Sequence, residues 1–264
     1  MTHESRSAAF VGVRGGHSRI VRNTLLSGIA LVAALGLAVY PEILDRPLTE
    51  LLNGLVGRSI LFDRLVVIAF AVNIFPGIIL AGLIWHCWFD TTDAKGRSQI
   101  VVGLLASCLA GGISRLLQHK LPTHARPFYD AALDFRLPSN FEHHLNTWNS
   151  FPSDHATVFG ALVTVIFIAR SRFALAAIVL TALAELARTY LGAHYPSDLI
   201  GGAALGALVV WASQAPWSVS LGTRIVVWER RSPAFFYMIA FFVTYEIATL
   251  AGELRWAATT LWHR

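Results

Sequence analysis

Stretches of about 20 mostly apolar residues recur along this chain, separated by short polar segments. Nothing else in the sequence narrows its fold so much. A helix rises about 1.5 Å per residue, so one such stretch crosses the roughly 30 Å hydrocarbon core of a bilayer. No water is available there, so each segment must satisfy its own backbone N–H and C=O groups, as a helix does. The apolar blocks fall at residues 24–44, 65–89, 100–117, 156–169, 173–191, 199–212 and 234–251. They predict an all-α polytopic membrane helix bundle, with six core transmembrane helices plus a seventh at 234–251. Pro76-Gly77 predicts a kink inside the second block. Between the first two blocks, Leu48, Leu51, Leu52 and Leu55 recur at helical spacing and predict an interfacial amphipathic helix.

Composition agrees. Of 264 residues, 55% are hydrophobic and only 14% are charged, against about 25% charged in an average soluble domain. The net charge is +5, but no basic block interleaves with aromatics, so the partners expected are membrane lipids and not nucleic acid. The basic residues instead divide between two faces. With seven spans, one face carries Arg6, Arg14, Arg19, Arg22, Lys95, Arg97, Arg170, Arg172, Arg224, Arg230 and Arg231, eleven in all. The other carries Arg46, Arg58, Arg64, Lys120, Arg126, Arg136, Arg188, Arg255 and Arg264; six remain once Lys120, Arg126 and Arg188, which have a chemical reason to be there, are set aside. Eleven against six places the N-terminus in the cytoplasm and the long polar segment 118–154 outside or in the periplasm. The first block is too long for a signal-peptide core and lacks a small-residue cleavage site after it, so it reads as a retained span. Cys87 and Cys108 fall inside apolar blocks and imply no disulfide framework and no metal cluster. With no repeat or Pro-rich linker, the chain divides as a polar N-terminus 1–23, one membrane domain 24–214, and 215–264 as a polar linker, the seventh span and a short tail.

Three polar clusters interrupt the apolar pattern, each at the end of an expected span and all on the same face. They are Lys120-Leu-Pro-Thr-His-Ala-Arg126-Pro127, Phe151-Pro152-Ser153-Asp154-His155, and Arg188-Thr-Tyr-Leu-Gly-Ala-His194-Tyr-Pro-Ser-Asp198. Charges at such positions are costly unless they line a site. Two arginines and a lysine suit a phosphate, the arginines as bidentate forks and the lysine as a point charge. Two histidines can divide nucleophilic and acid roles near neutral pH. A carboxylate four residues beyond a histidine can accept its ring N–H and fix its tautomer. The N-terminus of the helix after Ser153 and Asp154 offers backbone N–H groups to an oxyanion.

These clusters resemble the type 2 phosphatidic acid phosphatase superfamily, whose signature runs Lys-x6-Arg-Pro, Pro-Ser-Gly-His, Ser-Arg-x5-His-x3-Asp. The third motif matches at Arg188, His194 and Asp198, the second at Pro152, Ser153 and His155, and the first at Lys120, Arg126 and Pro127. The resemblance implies a metal-independent phosphatase of a lipid-linked phosphate, with no cofactor. In it His194 attacks phosphorus to form a phosphohistidine, Asp198 orients His194, and His155 protonates the leaving oxygen and then activates water. Lys120, Arg126, Ser153 and Arg188 would hold the phosphate oxygens, with Pro127 and Asp154 in support. Three departures stand out. Asp154 replaces the usual Gly, a form similar to the bacitracin-resistance branch that acts on undecaprenyl pyrophosphate. Ala187 replaces the usual Ser. Lys120 lies one residue nearer Arg126, a displacement of about 100° on a helix, which a helix break at Pro122 would absorb. Undecaprenyl or another polyprenyl pyrophosphate is therefore the favoured substrate, in a bacterial cytoplasmic membrane. Phosphatidylglycerophosphate, phosphatidic acid and lipid A phosphate are alternatives, and a non-catalytic lipid-binding or transport protein is the alternative of another class. The sequence gives no oligomeric state.

The remaining polar residues read more plainly. His119, His124, His143 and His144 lack helical spacing and a carboxylate cage, and read as loop residues. Trp85, Trp88, Trp211 and Trp217 fit interfacial belts. Arg115 and Glu185, inside spans, read as a pair with each other or as support for the site, and Glu246 as similar support or a partner interface.

Overall fold

The computed structural model of the chain describes residues 3–71, 74–121, 123–139, 141–142, 148–169, 172–250 and 252, without the side chains of 3–15, 17, 69–71 and 74. Pro122, His143, His144, Arg170, Ala251, Arg255 and Arg264, and the side chains of Arg6 and Arg14, lie outside the described residues.

The fold is all-α. In chain order the helices are α1 (His3–Val39), α2 (Asp45–Asn53), α3 (Ile60–Ala71), α4 (Ile74–Asp90), α5 (Ala94–Lys120), α6 (Asp154–Ile168), α7 (Ala174–Tyr190), α8 (Pro196–Ser213), α9 (Pro216–Arg231) and α10 (Pro233–Ala248). A 3-10 turn, Pro127–Tyr129, lies in the long polar segment. The only β-type pairing among the described residues is one bridge, Ala125 with Asn149. Three helical stretches are long and apolar enough to cross a membrane, Ser18–Val39, Ala94–Lys120 and Pro196–Ser213, and three shorter apolar helices accompany them, Phe75–Asp90, Asp154–Ile168 and Pro233–Ala248. Val32, Leu61, Leu175 and Phe241 point outward, as a lipid-facing surface requires.

Three elements differ from the sequence expectation. The polar N-terminus is helical from His3 and runs without a break into the first span. The second block is carried by two helices, α3 and α4. Pro76 is the third residue of α4, where its missing N–H removes no intrahelical bond. Gly77 is needed beside it, because a Cβ there would meet the Ala248 carbonyl oxygen at 2.2 Å. The segment expected as a polar linker is α9. Its Ser218, Gly222 and Val226 recur every four residues and are buried, and an added Cβ at Gly222 would come 2.8 Å from the Ser98 carbonyl oxygen of α5. A stripe of small residues thus supplies the packing face that a hydropathy reading misses.

α6 sits at the centre. Ala156 through Leu162 and Thr164 through Ile166 are buried almost without interruption, the mark of a helix surrounded by others. α8 crosses it closely because Gly202 and Gly206 carry no side chain. A Cβ at Gly206 would approach the Thr157 carbonyl oxygen to 2.1 Å, and one at Gly202 the Ser153 oxygen to 2.5 Å. This contact sets the N-terminus of α6 beside that of α8, with the C-termini of α5 and α7 at the same end of the bundle.

Candidate active site

The third cluster is built locally. Arg188 lies in the last turn of α7, the chain turns through Gly192 at φ +76°, and α8 starts with Pro196 at its first position. Gly192 is required twice over: its φ is in the left-handed region, and a Cβ would meet the Phe135 ring at 2.6 Å. Asp198 closes a capping arrangement, its Oδ2 accepting from the Tyr195 N–H at 2.7 Å. The same oxygen lies 3.5 Å from His194 Nδ1, which is also 3.1 Å from the Ser150 carbonyl oxygen. Both neighbours are acceptors, so Nδ1 carries the proton and Nε2 is left with its lone pair. Nε2 lies 3.2 Å from Nη1 of Arg126, which donates to the Ala193 carbonyl oxygen at 2.7 Å. His194 is 3% exposed. That burial holds its pKa below the usual value, with the Asp198 hydrogen bond opposing and the Arg126 charge adding, which favours the neutral ring that a histidine nucleophile would need.

The second cluster caps α6. Ser153 Oγ accepts from the Ala156 N–H at 3.3 Å, and Ser153 N–H donates to the Asp198 carbonyl oxygen at 3.1 Å. Asp154 Oδ1 accepts from the His155 backbone N–H at 3.0 Å and lies 3.1 Å from His155 Nδ1. The N–H groups expected for an oxyanion are in part taken up by these caps. Asp154 Oδ2 is 3.6 Å from Nη1 of Arg115. Arg188 Nε faces Glu185 Oε2 at 3.5 Å, and both residues are buried.

His155, His194, Asp198, Arg126, Arg188, Ser153, Asp154 and the buried Pro127 therefore share one end of the bundle. Lys120 does not join these contacts: it is exposed at the last position of α5. Arg115, more than one turn earlier, turns toward the site in its place. Arg115 and Glu185 do not pair with each other; each pairs with a site residue.

His124 is the residue the sequence reading passed over. It is no plain loop residue: its Nε2 lies 3.0 Å from Asp198 Oδ1, and its ring stacks on Tyr195 with centroids 4.8 Å apart. Burial works against its charged form, but the hydrogen bond and charge of Asp198, with Asp45 and Asp130 nearby, hold its pKa above the usual value. No spacing rule ties residue 124 to residue 198, so only packing reveals it. The tryptophans also divide: Trp217 is exposed, while Trp88 and Trp211 are buried.

The PAP2 superfamily profile matches residues 99–218. The chain is 30% identical over 157 residues to the candidate undecaprenyl-diphosphatase YbjG of Escherichia coli (strain K12), covering 58% of this chain and 73% of that protein. It is 36% identical over 107 residues to the lipid A 1-phosphatase of Rhizobium johnstonii (strain DSM 114642 / LMG 32736 / 3841), covering 40% of this chain and 39% of that one. It is 28% identical over 142 residues to the bacitracin transport permease protein BcrC of Bacillus licheniformis, covering 54% of this chain and 66% of that one. In fold it is similar to the crystal structure of a transmembrane PAP2 type phosphatidylglycerolphosphate phosphatase from Bacillus subtilis, with a TM-score of 0.50 and 19% identity over 74% of this chain and 93% of that one.

Proposed function

Because the chain belongs to the PAP2 superfamily and is a membrane lipid phosphatase, we propose that it hydrolyses a polyprenyl pyrophosphate, undecaprenyl pyrophosphate above all, through a phosphohistidine on His194. The observation that carries the reading is the convergence of two histidines, each beside its own carboxylate, with Arg126 and Arg188 at one end of the bundle. Asp154 in the second motif and the similarity to YbjG favour the pyrophosphate.

His194 Nε2 attacks the terminal phosphorus. An N–P bond forms, the bridging P–O bond breaks, and the leaving polyprenyl phosphate takes a proton from His155. Water, deprotonated by His155, then cleaves the N–P bond and releases inorganic phosphate. Asp198 stabilises the charge that builds on the His194 ring, and Asp154 does the same for His155. Arg126 and Arg188 neutralise the equatorial oxygens, with Arg115 beside them. Lys120, exposed at the last position of α5, would meet only the distal part of a headgroup. The guanidinium groups of Arg126, Arg188 and Arg115 would supply the positive charge that a metal supplies in other phosphatases.

The charge bias favours a site on the periplasmic face of a bacterial cytoplasmic membrane, where the carrier pyrophosphate is released. The similarity to a lipid A 1-phosphatase favours lipid A phosphate as the second reading.

The test is phosphate release by the purified protein from undecaprenyl pyrophosphate, undecaprenyl phosphate, lipid A, phosphatidylglycerophosphate and phosphatidic acid, each with and without EDTA. The reading expects the pyrophosphate to give the highest kcat/KM, unchanged by EDTA. Preference for another lipid, or loss of activity restored by one divalent ion, would overturn it. For orientation, Asp134→Cys, at an exposed loop position, in a background lacking Cys87 and Cys108, should react with an impermeant thiol reagent in intact cells. Labelling only after permeabilisation would invert the topology.

A further inference from the structure

Asp198 is fully buried, and a buried carboxylate must be met by donors or it becomes neutral. Oδ2 has the Tyr195 N–H and faces His194; Oδ1 has His124. The orientation of the carboxylate therefore depends on His124, and His194 depends on the carboxylate. His124 is itself held from behind. The Tyr195 ring on which it stacks donates its hydroxyl to Asp130 Oδ2 at 2.6 Å, and the same oxygen accepts from Arg46 Nε of α2 at 3.1 Å. Asp45, next to Arg46, accepts from both the backbone N–H (2.9 Å) and the hydroxyl (2.5 Å) of Ser197, so α2 also grips the first turn of α8. His124 Nδ1 has no hydrogen-bond partner among the described residues. The ring's one polar tie is thus to Asp198.

We propose that His124 is a positioning residue of the nucleophile: its Nε2–H pins Asp198 Oδ1, so that Oδ2 stays aimed at His194 Nδ1 and Nε2 stays aimed at phosphorus. It does not touch the substrate. The chain Arg46, Asp130, Tyr195, His124, Asp198, His194 makes α2, outside the three motifs, a part of the catalytic apparatus. This rests on the reading of His194 as nucleophile.

Two variants separate positioning from bulk structure. His124→Phe keeps a ring to stack on Tyr195 and deletes the donor; His124→Gln places an amide N–H near the Nε2 position. Activity is read with the best lipid of the substrate panel, and vanadate and inorganic phosphate are read as inhibitors. Vanadate reaches a five-coordinate form bonded to a histidine nitrogen, so it reports nucleophile placement, whereas phosphate reports only the cationic pocket. For His124→Phe the account expects kcat to fall about 10- to 100-fold with KM within about twofold. Vanadate affinity should fall in step and phosphate affinity hold, while His124→Gln recovers most of both losses. In an Asp198→Asn background, His124→Phe should add little. If His124→Phe does not fold, His124→Asn, whose amide falls short of Asp198, takes its place against His124→Gln. Equal losses in the donor and donor-free variants, full additivity with Asp198→Asn, or a change in KM alone would overturn the proposal. Turnover by the wild type that vanadate does not inhibit would remove the phosphohistidine reading, and His124's role with it.

Discussion

The two histidines of the site stand in unlike surroundings. His194 is enclosed, its carboxylate lies four residues further on in the first turn of α8, and that carboxylate is fixed by a helix cap, by His124 and, through Ser197, by α2. The His155 side chain is 15% exposed, its carboxylate is the adjacent residue, and that carboxylate is backed by Arg115, itself a third exposed. A nucleophile must meet phosphorus along one line, and small misplacement is expensive. A proton donor must instead reach a leaving oxygen in one step and a water in the next, which calls for access. The rigid pair and the open pair match these two demands.

Removing the nucleophile gives the largest effect expected. His194→Ala should abolish turnover of every lipid while the protein melts normally, because the covalent route splits one hard step into two. Retention of more than about a tenth of wild-type kcat would place the nucleophile elsewhere. Asp198→Asn should be milder but still severe, since the nitrogen remains and only its orientation suffers. His155→Ala should cost about 100-fold or more in turnover of a lipid substrate, yet little in the first step on an aryl phosphate whose leaving group needs no proton, read as the burst of released phenolate. Equal losses on both would erase the distinction between the two rings.

How much of this was legible beforehand depends on where each contact closes. Arg188, His194 and Asp198 lie within one helix end, the loop after it and the next first turn, so their spacing encodes their geometry. Asp154 and His155 are adjacent. The apolar blocks point to helices for the same reason, since a helix's hydropathy is written along its own sequence, though the second block divides into α3 and α4. His124 with Asp198 closes only when the loop packs on α8, and Arg115 with Asp154 only when α5 packs on α6. Lys120 was placed by analogy of spacing, but the position where α5 stops decides its direction. Hydropathy misses α9 because two of its three buried positions, Ser218 and Gly222, are small and only Val226 joins the hydrophobic core.

Asp154→Asn tests the open pair. The ring of His155 keeps a hydrogen-bonding neighbour but loses its charge partner, and a loss of about 10-fold in kcat is expected, smaller than for Asp198→Asn. The reverse order would make His155 the more tightly constrained ring. The smallest effect concerns Asp45, which stands behind the His194 pair alone. Burial pushes its pKa from 3.8 up to about 6, with the Ser197 bonds opposing. A carboxyl with a raised pKa binds its proton more tightly when folded. Its stabilising contribution is therefore full below the unfolded value and is lost as the pH rises through about 6. Wild type should lose melting temperature relative to Asp45→Asn between about pH 4 and pH 7; parallel curves would show that Asp45 is not a proton-binding group of the fold.

The covalent bond to His194 can be trapped. Wild-type protein mixed with substrate labelled in its terminal phosphate, quenched in alkali within one turnover and digested, should carry label on the peptide containing His194. That label should be stable to base, labile to acid, and absent from His194→Ala. Label on the peptide of His155, or rapid single-turnover hydrolysis with no label on His194, would contradict the account.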